Sequence, residues 1–246
     1  MKLRIATYNI HKGFSHFNRR MMVHELRRHL RTLDADIVFL QEVQGKHPSH
    51  ALLLPDWPAA PQYEFLAEKV WPDFAYGRNA VYDHGDHGNA ILSRYPIVSA
   101  ENQDISDHRF EQRGLLHCEV AVETLHLHCL CVHLGLLERG RRRQLTALTA
   151  RVLRLVPSGA PLIVAGDFND WHNNADHVLV TALGLTDVFH DQRGRSALTY
   201  PSGMPLLRLD RIYARGFRVC GVEVHHGQPW SRISDHAALS AELEFL

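Results

Sequence analysis

Apolar residues recur along this chain with two different periods, and the switches between them lay out the elements. Residues two apart share a face in a strand, and residues three or four apart share a face in a helix. Positions 3–9 and 36–42 read as strands, separated by a helix over 21–33 in which Met22, Val23, Leu26, Leu30 and Leu33 fall at helical spacing. Arg27, Arg28 and Arg31 decorate the other side of that helix as a solvated face. A second helix is expected over 63–71, closed by Pro72. Strands in hairpin-like succession follow at 73–82, 90–94, 97–105, 114–122 and 125–133. Leu145, Leu148, Val152 and Leu155 then line one face of a helix over 141–156. The apolar run 161–166 is a short buried strand, followed by a short helix near 174–183 and closing strands at 206–213, 217–225 and 237–245. A strand-rich middle with flanking helices implies packed layers of strands with helices outside.

The strand candidates end on polar residues. Strand 3–9 ends on Asn9, and strand 36–42 ends on Glu42. Strand 125–133 ends on His133, and strand 161–166 runs straight into Asp167-Phe168-Asn169. Asp210 interrupts an apolar stretch, and Asp235-His236 precedes the last strand. Strand ends are where α/β folds place chemistry. In an extended backbone Asp167 and Asn169 face the same way. A carboxylate there can orient and deprotonate a water, and a carboxamide can donate to charge building on a phosphoryl oxygen. Each residue alone has a plainer reading. Asn9 and Asp235 suit turns, Glu42 a solvated strand end, His133 a satisfied core position, and Asp210 an ion pair with Arg208 or Arg211.

Taken in order, the motifs TYNIHKG (7–13), DIVFLQEV (36–43), GNAILSRYPI (88–97), VHLG (132–135), GDFND (166–170), LDRIY (209–213) and SDHAAL (234–239) resemble the endonuclease/exonuclease/phosphatase superfamily. The nearest likeness is to small bacterial members, some of them encoded beside cardiolipin synthases, which points toward phospholipid as one substrate class. The resemblance implies a DNase I-like α/β (α+β) fold, a four-layer α/β/β/α sandwich of two mixed sheets with the site at one end. It implies phosphodiester or phosphomonoester hydrolysis with Mg²⁺ or Mn²⁺. Glu42 is then the principal metal ligand, with Asn9 adding a carbonyl ligand or positioning Glu42, and Asp235 completing the metal shell. Asp167 orients the attacking water with Asn169 beside it, and His236, oriented by Asp210, donates to a phosphate oxygen. His133 matches a second histidine of the deoxyribonuclease I, sphingomyelinase and inositol-phosphatase branches. Asp83 and Asp86 are its candidate carboxylate partners. Arg113 and Asn89 fall where members contact the substrate phosphate; for Arg113 the competing reading is a surface ion pair with Glu111.

Two patterns compete with these motifs. Ser106-Asp107-His108 repeats the SDH triplet without a following apolar strand and reads as loop chemistry. Cys129 and Cys131 alternate onto the His133 side, where a soft metal would need a fourth ligand that is not evident. Small buried thiols suit a strand core.

At 246 residues the chain has room for one domain, 1–246, and it shows no repeat, linker or low-complexity tract. Lys plus Arg and Asp plus Glu both number 27. A protein that grips a long duplex carries a basic excess, so the balance argues against a broad nucleic-acid surface and leaves room for a local patch. The basic start of helix 141–156 (Arg139, Arg141, Arg142, Arg143) opposes the helix dipole. It points to a transient contact with an anionic membrane or phosphate, against the plainer reading of a solvated turn near Glu138. The absence of a long apolar segment leads to the expectation of a cytoplasmic protein without an obligate protein partner. Its substrate would be a phosphate ester: phospholipid, small molecule or nucleic acid. The rival class is a catalytically silent binding domain of the same fold. The absence of G-x-S-x-G and of Walker and Rossmann glycine motifs disfavours the other common hydrolase and nucleotide-binding chemistries.

Overall fold

The computed structural model describes residues 1–16, 19–108 and 110–246. One six-stranded sheet is built from β1 (Lys2–Asn9), β2 (Ile37–Gln44), β3 (Asp73–Tyr82), β4 (Gly85–Ser93), β11 (Phe217–His225) and β12 (Ala238–Phe245). Its strand order is β11-β12-β1-β2-β4-β3. The other contains β5 (Ile97–Asp104), β6 (Gly114–Val122), β7 (Leu125–His133), β8 (Leu162–Asp167), β9 (Thr186–Asp187) and β10 (Asp210–Arg215), in the order β5-β6-β7-β8-β10-β9. The helices are α1 (Val23–Thr32), α2 (Pro48–Leu53), α3 (Gln62–Ala67), α4 (Glu138–Leu155), α5 (Asn174–Leu183), α6 (Val188–Arg193) and α7 (Trp230–Ile233), with a 3-10 turn at His11–Gly13.

Each sheet contains one parallel pair, β1 with β2 and β7 with β8; the remaining neighbours are antiparallel. A parallel pair needs a crossover, which α1 and α4 supply. Both crossovers start at the same end of the sandwich, so the C-terminal ends of β1, β2, β7 and β8 come together there.

Strand alternation divides the apolar residues between three layers. Leu3, Ile5, Ile37, Phe39, Ile91, Cys129, Cys131, Ile163, Ala165 and Ile212 fill the space between the sheets. Tyr8, Val38, Leu40 and Leu92 face outward beneath α1, α3 and α7, and Leu130, Val132, Leu162 and Val164 beneath α4 and α5. The result is a four-layer α/β/β/α sandwich, as the sequence implied. The cysteines at 118, 129 and 131 are free thiols within its central layer. Burial pushes the Cys131 thiol up to about 12, its sulfur bonds Gln41 Nε2 and the Leu40 carbonyl, and the metal-donor cluster among the described residues includes no cysteine.

Several boundaries differ from expectation. The helix expected over 63–71 stops at Ala67, and Lys69 turns left-handed with φ 67°. The strand expected at 206–213 begins only at Asp210, because Leu206 and Leu207 lie exposed in a turn closed by a Tyr200–Leu207 bridge. Helix α4 starts one turn early, at Glu138. No helix was expected at α2, α6 or α7. The first buries no side chain and so carries no periodic signal, and the other two are six and four residues long.

Candidate active site

The catalytic candidates extend the central layer of the core. Asn9 continues the parity of Leu3 and Ile5, and His133 that of Cys129 and Cys131. Asp167 continues the parity of Ile163 and Ala165, Asp210 that of Ile212 and Ala214, and Asn89 that of Ile91. All five are buried. The registers set them side by side: His133 lies opposite Asp167 across β7–β8, and Asp210 opposite Asp167 across β8–β10. Close approach of β7 and β8 depends on Gly166, whose φ is 146° and where a Cβ would collide with the Val132 carbonyl oxygen.

Asp167 is the hub. Its Oδ1 accepts from the Asn169 backbone N–H at 2.9 Å, and its Oδ2 accepts from Asn9 Nδ2 at 3.1 Å. His133 Nε2 is 3.4 Å and His236 Nε2 3.8 Å from the same Oδ2. Asn169 has a left-handed backbone, φ 48°, and spends one amide hydrogen on the Leu134 carbonyl at 2.9 Å. Its second amide hydrogen remains for a ligand. Asn9 is itself held, its Oδ1 accepting from His11 N at 3.1 Å and its carbonyl from Ser234 Oγ at 2.8 Å.

His236 bonds Asp210 Oδ2 through Nδ1 at 2.8 Å, which leaves Nε2 directed at Asp167. Burial alone would favour a neutral ring. The Asp210 and Asp167 charges and the Asp210 hydrogen bond outweigh it and carry His236 up to about 10. Burial also pushes the Asp167 carboxyl well above the usual carboxylate range, with the Asp210 charge adding to it and His236 opposing it. His133 is held neutral by burial first and then by the nearby Arg113, His236, His87 and Lys12 charges.

Glu42 sits where the β2–β4 register shifts, with φ 56°. Its half-buried carboxylate has no hydrogen bond or ion pair among the described residues, and its charge acts on Tyr82 and His87. Asp235 is half-buried, 3.9 Å from His16 Nδ1, and its charge also acts on His236. These donors have the chemistry a divalent cation takes: Glu42 is a carboxylate without a hydrogen-bond or ion-pair partner among the described residues, and Asn9 Oδ1 and Asp235 offer further hard oxygens. Among the described residues, Asp167, Asp210 and His236 form the group whose donor atoms lie within 4.8 Å of one another. An ion there would have to displace the His236 proton, whereas the Glu42 side carries no cationic ring.

Asn89 donates to the Gly114 carbonyl at 2.9 Å and the Cys131 carbonyl at 3.3 Å, tying the first sheet to the second; its Oδ1 is buried without a partner. Arg113 does not form the ion pair with Glu111. That carboxylate accepts from Gln144 Nε2 at 2.8 Å and Asp107 N at 2.9 Å, leaving the Arg113 Nε buried and unpaired. Neither proposed partner holds His133: Asp86 accepts from the Tyr76 hydroxyl at 2.6 Å, and Asp83 is exposed. Asp107 of the repeated SDH triplet pairs with Arg143 as loop chemistry. Arg141 departs from the expected basic turn. It is buried, donates to the Leu136 carbonyl at 2.5 Å and lies 4.8 Å over the Trp171 ring. Thr199 Oγ1, which accepts from Asp210 N at 3.2 Å, and Ser234 went unnoticed in the sequence as supports. So did Lys12, inside the stretch 7–13, and His87, one residue before the stretch 88–97, as neighbours of His133.

Comparison with known proteins agrees with this geometry. Residues 6–236 match the Endonuclease/Exonuclease/phosphatase family. The Escherichia coli (strain K12) protein YbhP, itself uncharacterized, is 49% identical over 242 residues, covering 98% of this chain and 95% of its own. Among solved structures, an endonuclease/exonuclease/phosphatase from Beutenbergia cavernae superposes with a TM-score of 0.77 at 20% identity, covering 99% of this chain and 72% of its own. D. rerio TDP2, complexed with a single strand DNA product, superposes with a TM-score of 0.73 at 20% identity and 99% coverage of both chains. The chain belongs to the endonuclease/exonuclease/phosphatase family.

Proposed function

We propose that this protein is a divalent-metal-dependent phosphoric ester hydrolase that cleaves a phosphodiester or phosphomonoester by in-line attack of a water oriented by Asp167. The observation that carries the reading is the set of contacts on Asp167, which hold a buried carboxylate beside an imidazolium and a neutral imidazole. Family membership supports the reaction class.

Phosphoryl transfer asks for a positioned nucleophile, neutralisation of charge on the phosphoryl oxygens and help for the leaving oxygen. Asp167, with its pKa raised, accepts a proton from water readily once the site is filled. The His236 imidazolium donates through Nε2 to a phosphate oxygen, and Asp210 fixes its orientation and charge. The free amide hydrogen of Asn169 adds a donor around the same oxygens, and the Arg113 charge, felt at His133 and His87, favours an anion there. Glu42 and Asn9, with Asp235 nearby, would hold Mg²⁺ or Mn²⁺. When bound, the ion supplies Lewis-acid neutralisation of the phosphate and the leaving group.

Phospholipid or another small phosphate ester is the favoured substrate class, on the balanced net charge. A nuclease activity is the second reading, supported by the likeness in fold to D. rerio TDP2, solved with a single strand DNA product. A silent binding domain is the third. No helix among the described residues is long and apolar enough to cross a membrane, and we take the site of action to be cytoplasmic. The test is hydrolysis of bis-p-nitrophenyl phosphate, supercoiled plasmid and phospholipid vesicles with Mg²⁺ or Mn²⁺, by wild type and Asp167→Asn. Cleavage lost in the variant supports the hydrolase and selects the substrate branch. Absence of cleavage across all three substrates favours the silent domain.

A further inference from the structure

Beside the catalytic end, α1 and α7 enclose a groove of about 440 Å³. Its walls carry Arg20, Arg28 and Arg232, and Met21, Met22 and Ile233 form its apolar part. Its position follows from the topology. The segment 20–22 lies between the end of β1 and the start of α1, and α7 leads directly into Ser234-Asp235-His236. Ser234, at the C-cap of α7, is hydrogen-bonded to the Asn9 carbonyl. The groove is thus separated from the catalytic residues by a single short helix and its cap.

None of the three guanidiniums forms an ion pair or side-chain hydrogen bond among the described residues. On the same helix, Arg27 is paired with Glu68 at 2.8 Å and Arg31 donates to the Glu68 carbonyl at 2.6 Å. The expected solvated face is therefore divided: two arginines join α1 to α3, and Arg28 is left facing the groove. Glu25 is the one carboxylate in the lining, against three arginines from three separate segments. His29 adds no compensating charge, since burial and the Arg28 charge keep its ring neutral. An unneutralised cluster of this kind beside an apolar wall is complementary to an anion that carries hydrocarbon.

We propose that the groove is a second binding subsite, which takes an anionic phosphate group of an alkyl phosphate ester of the phospholipid type. The inference rests on the phosphoesterase reading and narrows its substrate class. Guanidinium forks match the tetrahedral oxygens of phosphate. The lining offers methionine, proline and isoleucine, and its one ring, the half-buried His29 imidazole, lies tilted against Trp230 with centroids 5.7 Å apart. The nearest large aromatic, Trp230, is buried edge-on against Tyr8 with centroids 5.6 Å apart. The hydrocarbon of a short-chain alkyl phosphate ester fits against Met21, Met22 and Ile233, where a nucleotide strand would find no large aromatic platform.

The test is calorimetric titration of the full chain in EDTA, using Asp167→Asn to keep every probe intact. Dihexanoyl phosphatidic acid, below its micelle concentration, should bind this protein. Arg28→Gln and Arg232→Gln should each weaken it by about tenfold, the scale of one lost charge-assisted contact. Met22→Ser should also weaken it, Glu25→Gln should tighten it, and Arg154→Gln on the far face of α4 should leave it unchanged. Equal affinity in the arginine variants would overturn the subsite. Inorganic phosphate binding as tightly as the lipid would remove the hydrocarbon from the recognition, and a thymidine oligonucleotide binding more tightly would replace the lipid with nucleic acid; either result overturns the proposal. Hydrolysis of bis-p-nitrophenyl phosphate by the wild type, read separately, decides the phosphoesterase reading whatever the groove binds.

Discussion

At the residue scale, the site is decided by how two buried carboxylates share one imidazole proton. Asp167 and Asp210 both approach His236, and the ring stays charged because the two anions together outweigh its burial. Asp210→Asn removes the anion that makes the shorter contact. The His236 ring should then titrate at lower pH, visible as an upfield proton resonance at neutral pH, and kcat/KM should fall by about 10²-fold or more. A ring that remains charged in this variant would mean that Asp167 alone sets its state. Asp167→Asn keeps the side-chain volume and removes the base. It should lower kcat by about 10³-fold, within the usual range for a general base, with an unchanged circular dichroism spectrum. Retained turnover would take Asp167 out of the chemistry. These residues were legible in the sequence because each ends an apolar alternation on a polar group. The interactions around them were not. Arg141 reads as one of four exposed cations, yet its guanidinium is buried against backbone carbonyls and Trp171. Only the tertiary path of the loop before α4 decides that.

At the element scale, the parallel pair β7–β8 is the part of the scaffold on which the geometry depends. Gly166 allows it, since its φ of 146° is closed to other residues and its missing Cβ leaves space for the Val132 carbonyl. Gly166→Ala should destabilise the fold by about 3 kcal/mol, combining backbone strain with displacement of the neighbouring strand. Urea unfolding measures it, and a change under about 0.5 kcal/mol, the scale of a neutral surface substitution, would show that the strands separate without cost. The long amphipathic elements, α1, α4 and α5, were readable from their spacing, as were β1, β7 and β8. Glu42 shows where reading stops. Strand parity places it on the outer face with Val38 and Leu40, but a bulge at φ 56° breaks the alternation, and no sequence period reports a bulge. The short helix α2 is capped by the His47 side chain and α7 is held by the burial of Trp230 and Ile233, and neither leaves a period either.

At the scale of the whole molecule, the chain carries 19 histidines, and folding holds several of them neutral. Burial and the Arg151 charge lower His117 to about 4, where it accepts from Arg151 Nε at 3.3 Å and faces His128 Nδ1 at 3.1 Å. Burial and Lys12 lower His87 to about 4, and His133 lies well below its usual value. Unfolded, each would titrate near 6.5, so between about 6.5 and 4 the unfolded chain binds more protons than the native one. Stability from these groups is present above about 6.5 and is lost as pH falls toward 4. His236 acts in the opposite sense: its raised value stabilises below about 6.5 and is lost as pH rises through about 10. The raised Asp167 carboxyl likewise favours the native state on the acid side. Below about 6.5 His236 is protonated in both states and adds no further slope, so the depressed histidines, which include His29, His47, His50, His128 and His225 as well, outweigh the Asp167 carboxyl and leave a net loss on acidification. In EDTA, stability should therefore decline from about pH 6.5 downward, by on the order of 2–4 kcal/mol before the carboxylates begin to titrate. His117→Gln keeps an acceptor for Arg151 and lies outside the active site, so it should flatten that slope by up to about one bound proton without changing stability much at pH 8. Denaturant unfolding at a series of pH values reads both. A slope identical in wild type and variant would mean that His117 is not held neutral by the fold.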